Sequence, residues 1–343
     1  MRQTGLGRAA AVVCGGLLAV AGLGVGGIPA ATLEGAAAPQ ALPDEVEGRW
    51  DARLDRSDRL DDGGDWRLHL TGDRNDWGTG ASDDLERRLL AAVADDGSLA
   101  FTLDAPAGAV QMEGRVGADD GAGNFTFRPR RDFVAAVARE GLDTGRVDTE
   151  TLLAAALHEV DPASAGALRR AGAAPDDLGD LIAAAIFRVD TTFIAEIRAL
   201  GYDLDLDDYL AFRIHDVTPD FIRSVRGWGL GDPSADDLIA FRIHEVTEAF
   251  VRETRGWAGD DLVGRELIAF RIHDVTEAFV RSMEEAGVPP EDSDQAVAFR
   301  IHGVTPELVR QMEAAGFDDL DGDDLVRIRI HRLDRKLGGG GGA

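Results

Sequence analysis

The sequence predicts an α+β protein in which an N-terminal antiparallel β-sheet domain caps an α-solenoid of 28- to 29-residue helix pairs. Three observations carry this. Positions His158, Phe187, His215, His244, His273, His302 and His331 are separated by 29, 28, 29, 29, 29 and 29 residues. A fixed period of that length marks a supersecondary unit that buries its apolar face only against copies of itself. Between Glu45 and Arg128 apolar and polar residues alternate over short segments bounded by Gly and Asp, the pattern of half-buried strands. Helix caps, finally, recur at matching places in successive periods.

The order of elements begins with a targeting segment, residues 1–44. Arg2 and Arg8 precede an uncharged run from Ala9 to Ala31, and small residues with Pro29, Pro39 and Pro43 lead to Asp44. Charged, apolar and small-residue regions in that order make an export signal. The 23-residue run is also long enough to span a bilayer, so membrane contact through residues 9–31 is the alternative to cleavage. Cys14, the one cysteine, lies in this run, which leaves the mature protein without a disulfide.

Residues 45–130 form the predicted sheet domain, with strands at Trp66 to Leu70, Leu99 to Leu103, Ala109 to Val116 and Asn124 to Arg128. Asp62-Gly63-Gly64 and Asp119-Asp120-Gly121 offer positive-φ turn positions. The helix expected to cover the sheet is the next one, Arg131 to Gly141, which matches the second helix of later periods at Pro306 to Gly316. The array then runs over residues 131–337, with a flexible Gly tail at 338–343.

Each period reads as two short helices. Asp177 with Asp180, Asp205 with Asp208, Ser234 with Asp237, Asp292 with Gln295 and Asp321 with Asp324 supply an N-cap and its partner three residues on. Leu238, Ile239, Ala240, Phe241 and Ile243 are expected to form the apolar surface of one first helix. Thr218 or Thr305 before Pro219 or Pro306 opens a second helix, since proline at the first helical position forfeits no bond. Phe193, Phe221, Phe250, Phe279 and Leu308 should pack inward, and Gly172, Gly201, Gly229, Gly287 and Gly316 should end the second helices in left-handed conformation.

Leu-Ile-Ala-Phe-Arg-Ile-His-Asp-Val-Thr at residues 267–276, followed by a Phe-Val-Arg helix and an Ala-Gly turn, resembles repeats of exported bacterial proteins. Some of these carry the repeats appended to membrane antirepressor metallopeptidases of the BlaR/MecR type. Leu99 through Arg128 looks like the sheet segment that precedes such repeats, so the resemblance covers roughly residues 95–331. It implies export and a place in a sensing system, but not peptidase activity. The His-Glu-x-x-His motif fails at both His-Glu pairs: Pro162 stands four residues after His158, and Glu248 four after His244.

Composition narrows the function further. With 36 Lys and Arg against 63 Asp and Glu, the net charge of −27 repels phosphate backbones, so no nucleic acid is expected. No catalytic, cofactor-binding or metal residues are assigned. Zinc needs nitrogens about 2 Å from the ion, whereas packed helices lie about 8 to 10 Å apart. The histidines His158, His215, His244, His273, His302 and His331 are therefore structural positions at helix ends. Two residues before five of them stand Arg213, Arg242, Arg271, Arg300 and Arg329. Such a row suits bidentate recognition of an extended acidic peptide of a protein partner, or of an anionic polymer; the alternative is internal pairing with helix-opening acids such as Asp208, Asp237 and Asp324. Trp228 and Trp257, at one place in the period, read as packing between periods. The expected function is a non-enzymatic protein-interaction scaffold, periplasmic or secreted. The alternative is an enzyme or small-ligand receptor with its site in the sheet domain around Trp50, Trp66, His69 and Trp77.

Overall fold

The computed structural model describes residues 42–55, 65–72, 76–78, 83–145, 147–317 and 319–331. Residues 1–41 of the targeting segment, the Asp62-Gly63-Gly64 turn and the Gly tail lie outside them. Among the described residues no helix is long and apolar enough to cross a membrane.

Among the described residues six strands form one antiparallel sheet: β1 (Val46–Asp55), β2 (Asp65–Gly72), β3 (Asp76–Gly78), β4 (Ser98–Ala105), β5 (Gly108–Val116) and β6 (Asp120–Pro129). Their order, β3-β2-β1-β6-β5-β4, joins two meanders through the β1–β6 pairing. The four segments expected as strands lie within β2, β4, β5 and β6. Between β3 and β4 the chain inserts α1 (Asp83–Ala91), which the sequence reading did not foresee.

The apolar side of the sheet is built by seating aromatics on glycines. Trp50 pairs with Gly123, and Gly123 with Gly114, so three strands place one indole above two residues without side chains. A Cβ on Gly123 would stand 2.7 Å from the indole Nε1 and 2.0 Å from the Glu113 carbonyl. Glycine is the residue that permits this approach. The indole N–H donates to that carbonyl at 3.3 Å. Gly121 belongs to the same floor, where a Cβ would stand 3.2 Å from the ring, and not to a positive-φ turn as expected. The β5–β6 reversal is made instead by Gly117, whose N–H donates to the Asp120 carbonyl.

Fourteen helices follow the sheet among the described residues. One set comprises α2 (Arg131–Arg139), α4 (Ser164–Ala171), α6 (Thr191–Ala199), α8 (Pro219–Arg226), α10 (Glu248–Ala258), α12 (Glu277–Glu285) and α14 (Pro306–Ala314). Alternating with them are α3 (Thr149–Leu157), α5 (Leu178–Ile186), α7 (Leu206–Ile214), α9 (Ala235–Ile243), α11 (Gly264–His273), α13 (Ser293–His302) and α15 (Gly322–Ile330). The architecture is therefore α+β, with an antiparallel sheet first and helices after it.

The expected caps are present. Asp177, Asp205, Asp292 and Asp321 accept from backbone N–H groups three residues on at 2.8 to 3.0 Å. Ser234 and Asp237 form a reciprocal capping box. Thr218 and Thr305 cap α8 and α14 ahead of proline at N1, and the five predicted glycines have φ between 75° and 94°. Each cap satisfies a backbone group that a helix of eight to eleven residues would otherwise leave open at its end.

The chain divides into two compact units. The first runs to Ala195 and includes Asp203–Leu210; the second comprises Glu196–Tyr202 and the chain from Ala211. The break expected after residue 130 falls inside the first unit. The reason is α3, which lies against β4, β5 and β6 and buries Leu152, Leu153, Ala155, Ala156 and Leu157. This is the cover that the reading assigned to α2. In the second unit α11 packs on α9, α13 on α11, α15 on α13, and α12 on α10. Phe299, Val304, Leu308, Met312, Leu325 and Ile328 form one of its buried clusters.

Candidate interaction surface

Helices α3, α5, α7, α9, α11 and α13 end in a shared motif. The residue after the histidine or Phe187 position is left-handed: φ is 49° at Glu159, 54° at Arg188 and Asp216, 53° at Glu245 and Asp274, and 66° at Gly303. The valine that follows sends its N–H back to a carbonyl five residues earlier, as from Val217 to Phe212 (2.7 Å) and from Val275 to Phe270 (2.9 Å). This closes each helix with a Schellman-type bond. The histidines thus belong to helix ends through their backbone. Left-handed conformation costs a residue with a Cβ about 1 kcal/mol, so most of these ends hold mild strain.

In the second unit an arginine from one period later reinforces the ends. Arg242 donates to the Asp216 carboxylate at 2.9 Å and lies over the Phe221 ring at 3.9 Å. Arg271 donates to the Glu245 carbonyl at 2.8 Å and covers Phe250 at 4.3 Å. Arg300 donates from Nε to the His273 carbonyl at 2.9 Å, pairs with Asp274 and covers Phe279. Arg329 donates to the His302 carbonyl at 3.0 Å. Arg213 holds the same place in the last turn of α7.

Internal pairing was the simpler expectation for this row, but the partners differ from those named. They are the carbonyls and acids at helix carboxyl ends, not Asp237 or Asp324 at amino ends. A cation is favoured there by the negative end of the helix dipole and by the open carbonyls of the last turn. Phe221, Phe250 and Phe279 accordingly stay half-buried, as platforms for guanidinium groups.

A second arginine row escaped the sequence reading. Arg169 donates to the Glu140 carbonyl (2.9 Å), Arg226 to that of Leu200 (2.6 Å), and Arg255 to those of Trp228 and Gly229 (2.6 and 2.8 Å). Each reaches the carboxyl end of an even-numbered helix 26 to 29 residues earlier. The regular spacing of these arginines was the available signal. Trp228 is buried between Phe221 and Phe241, and Trp257 stacks on Phe270 at 5.6 Å, so both indoles contribute to packing.

With the arginines engaged, the exposed feature is a row of isoleucines. Ile214, Ile243, Ile272, Ile301 and Ile330 stand at intervals of 29 residues, all in the second unit, each in the final turn of its helix and 44 to 54 % exposed. Ile243, expected within the apolar inner surface, is one of them. Leu238 and Phe241 turn inward instead, while Ile239 and Ala240 are half-buried. The corresponding residue of α3, Leu157, is 3 % exposed. Beside it, burial pushes the His158 imidazole down to about 4, which keeps it neutral.

The sheet-domain residues do not converge. Trp50 is buried and bonded to Glu113, while His69 is exposed between buried Leu68 and Leu70, on the other face of β2 from them. The side chains of Trp66 and Trp77 lie outside the described residues. Among the described residues no group of three or more His, Cys, Asp or Glu is placed to hold a metal ion. An open depression of about 320 Å³ in the second unit is lined by Trp228, Val251, Arg252, Arg255 and Asp260. No protein-family model, curated protein or solved structure matches the chain.

Proposed function

We propose that the chain is an exported, non-enzymatic interaction scaffold: an α-solenoid of helix-pair repeats, capped by the sheet domain, that holds a protein partner in the bacterial envelope. Its setting is a sensing system of the antirepressor type. The solenoid reading is supported by the alternation of two helix types and by the packing of α9, α11, α13 and α15 in succession. The observation that carries the function is the isoleucine row. Single exposed apolar residues are ordinary on a soluble surface, but large ones kept exposed at one position in five successive periods make a repeating apolar edge, and extended apolar surface marks interaction sites.

The test uses the mature chain as bait in its own envelope extract, beside Ile243→Ser/Ile272→Ser/Ile301→Ser of matched thermal stability. A near-stoichiometric partner held by the parent and lost by the variant is the expected result. Equal recovery by both would remove the isoleucine row from the function, and an empty capture with the parent would count against the scaffold itself.

A further inference from the structure

The isoleucine row has two unlike edges, and their charge says what it takes. On α9, Asp236, Ile239, Ala240 and Ile243 stand at i, i+3, i+4 and i+7 and so share one face. Asp236 and Ile243 are exposed at its two ends, and the residues between them are half-buried. On α13 the same places hold Asp294, Val297, Ala298 and Ile301 with the same exposure. The stripe is thus deeper than its isoleucines alone, and exposed acids border it along the amino ends of these helices. At the carboxyl edge two of the three acids are neutralised, Asp216 by Arg242 and Asp274 by Arg300, while Arg271 takes the backbone carbonyl of Glu245 and leaves its carboxylate without a cation among the described residues. At the amino edge Asp237 and Glu266 accept from the amides at their own helix starts. Asp236 and Asp294 have no cation partner among the described residues. Arg265 is the basic exception, at the same place on α11.

We infer that the stripe binds a protein segment presenting an apolar ridge with lysines or arginines along one side, the side that meets the helix amino ends. This rests on the docking reading above and specifies its partner. Apolar contact with the isoleucines supplies the main attraction, while the unpaired carboxylates fix orientation and speed encounter. A second copy of the chain would bring its own acids, and the net charge of −27 opposes that meeting. Anionic lipid is opposed for the same reason.

The probes are two labelled helix-forming peptides with one leucine face, bordered on one side by lysines or by glutamates. Binding to the full chain is read by fluorescence anisotropy, with far-UV circular dichroism melts confirming that the variants are folded. The Leu/Lys peptide should bind the parent. Ile243→Ser/Ile272→Ser/Ile301→Ser should weaken it about tenfold or more, and Asp236→Asn/Asp294→Asn about threefold, with affinity falling as salt rises. The Leu/Glu peptide should bind at least about tenfold more weakly. Undiminished Leu/Lys binding to the serine variant would mean charge attraction alone and overturn the inference. Equal binding of both peptides, lost in the serine variant, would leave the docking reading standing and remove the basic partner. Failure of both peptides, with isoleucine-dependent capture from envelope extract, has the same meaning. A concentration-dependent dimer abolished by the serine variant would assign the stripe to a second copy, against the inference.

Discussion

The carboxyl end of α3 and the carboxyl ends of α9, α11 and α13 are the same motif in two settings. Both have an apolar residue, then a histidine, then a left-handed residue, then a valine that closes the helix. On α3, which lies against the sheet, the apolar residue Leu157 is buried, the histidine is held neutral, and the acid Glu159 pairs with Arg88 of α1 at 2.6 Å. In the second unit the arginine comes from the next period and the isoleucine is left in solvent. The difference teaches that apolarity at this position is not a local requirement of the helix end. It serves the core where a sheet covers it, and in the second unit it remains available to something else.

The strongest way to break this comparison is to replace the two apolar residues alike. Leu157→Ser should cost about 3 kcal/mol in urea unfolding, through lost burial and an unsatisfied hydroxyl. Ile272→Ser should cost less than about 0.5 kcal/mol. Equal losses would show that both positions are core.

The histidine sharpens it through pH. The imidazole of His158 titrates near 4 in the folded chain against 6.5 unfolded, so between these values the unfolded chain binds the proton first. The contribution of the neutral ring is complete above the unfolded value and is lost as pH falls toward the folded one. The span corresponds to about 3 kcal/mol at most. His158→Phe should flatten that part of the stability profile between about pH 7 and about pH 4.5, as read by urea midpoints; an unchanged slope would reject the neutral, half-buried setting. Phenylalanine already fills this position at Phe187, the C-cap residue of α5.

Smaller effects test the reinforcement. Arg300→Ala removes a carbonyl bond, an ion pair and a ring contact together, and should cost about 1 to 2 kcal/mol in the same assay. Arg300→Lys should recover only part of this, because an ammonium cannot spread two donors over the His273 carbonyl and Asp274 while covering Phe279. Last, Glu245→Gly should stabilise the chain by up to about 1 kcal/mol. It relieves the left-handed backbone, and Arg271 uses the carbonyl of that residue rather than its side chain. Asp274→Gly should gain nothing, since it also deletes the partner of Arg300.

What the sequence disclosed here was whatever local stereochemistry decides. N-caps, proline at N1 and left-handed glycines were legible because each follows from two or three adjacent residues. The pairing of distant elements was not. Leu152 and Leu153 gave no sign that α3 lies on the sheet, since α2 also has apolar residues to bury. Ile243 looked like core because, on a nine-residue helix, hydrophobicity alone does not say which face meets a neighbour. The arginines reach helix carboxyl ends rather than the carboxylates at amino ends, because open carbonyls and the dipole make carboxyl ends the better acceptors. Nothing in the alternation of β1 announced that Trp50 would rest on glycines from two other strands.

The backward reach of the arginines gives the molecule a direction in time. Asp216 meets Arg242 only after 26 further residues have been made, and Asp274 waits as long for Arg300. A chain emerging from a ribosome or an export pore from its amino end therefore completes its helix ends in sequence, each about one period behind the point of emergence. Every contact of this kind closes over a short, constant length of chain, so lengthening the array adds further closures of the same size without making any of them slower.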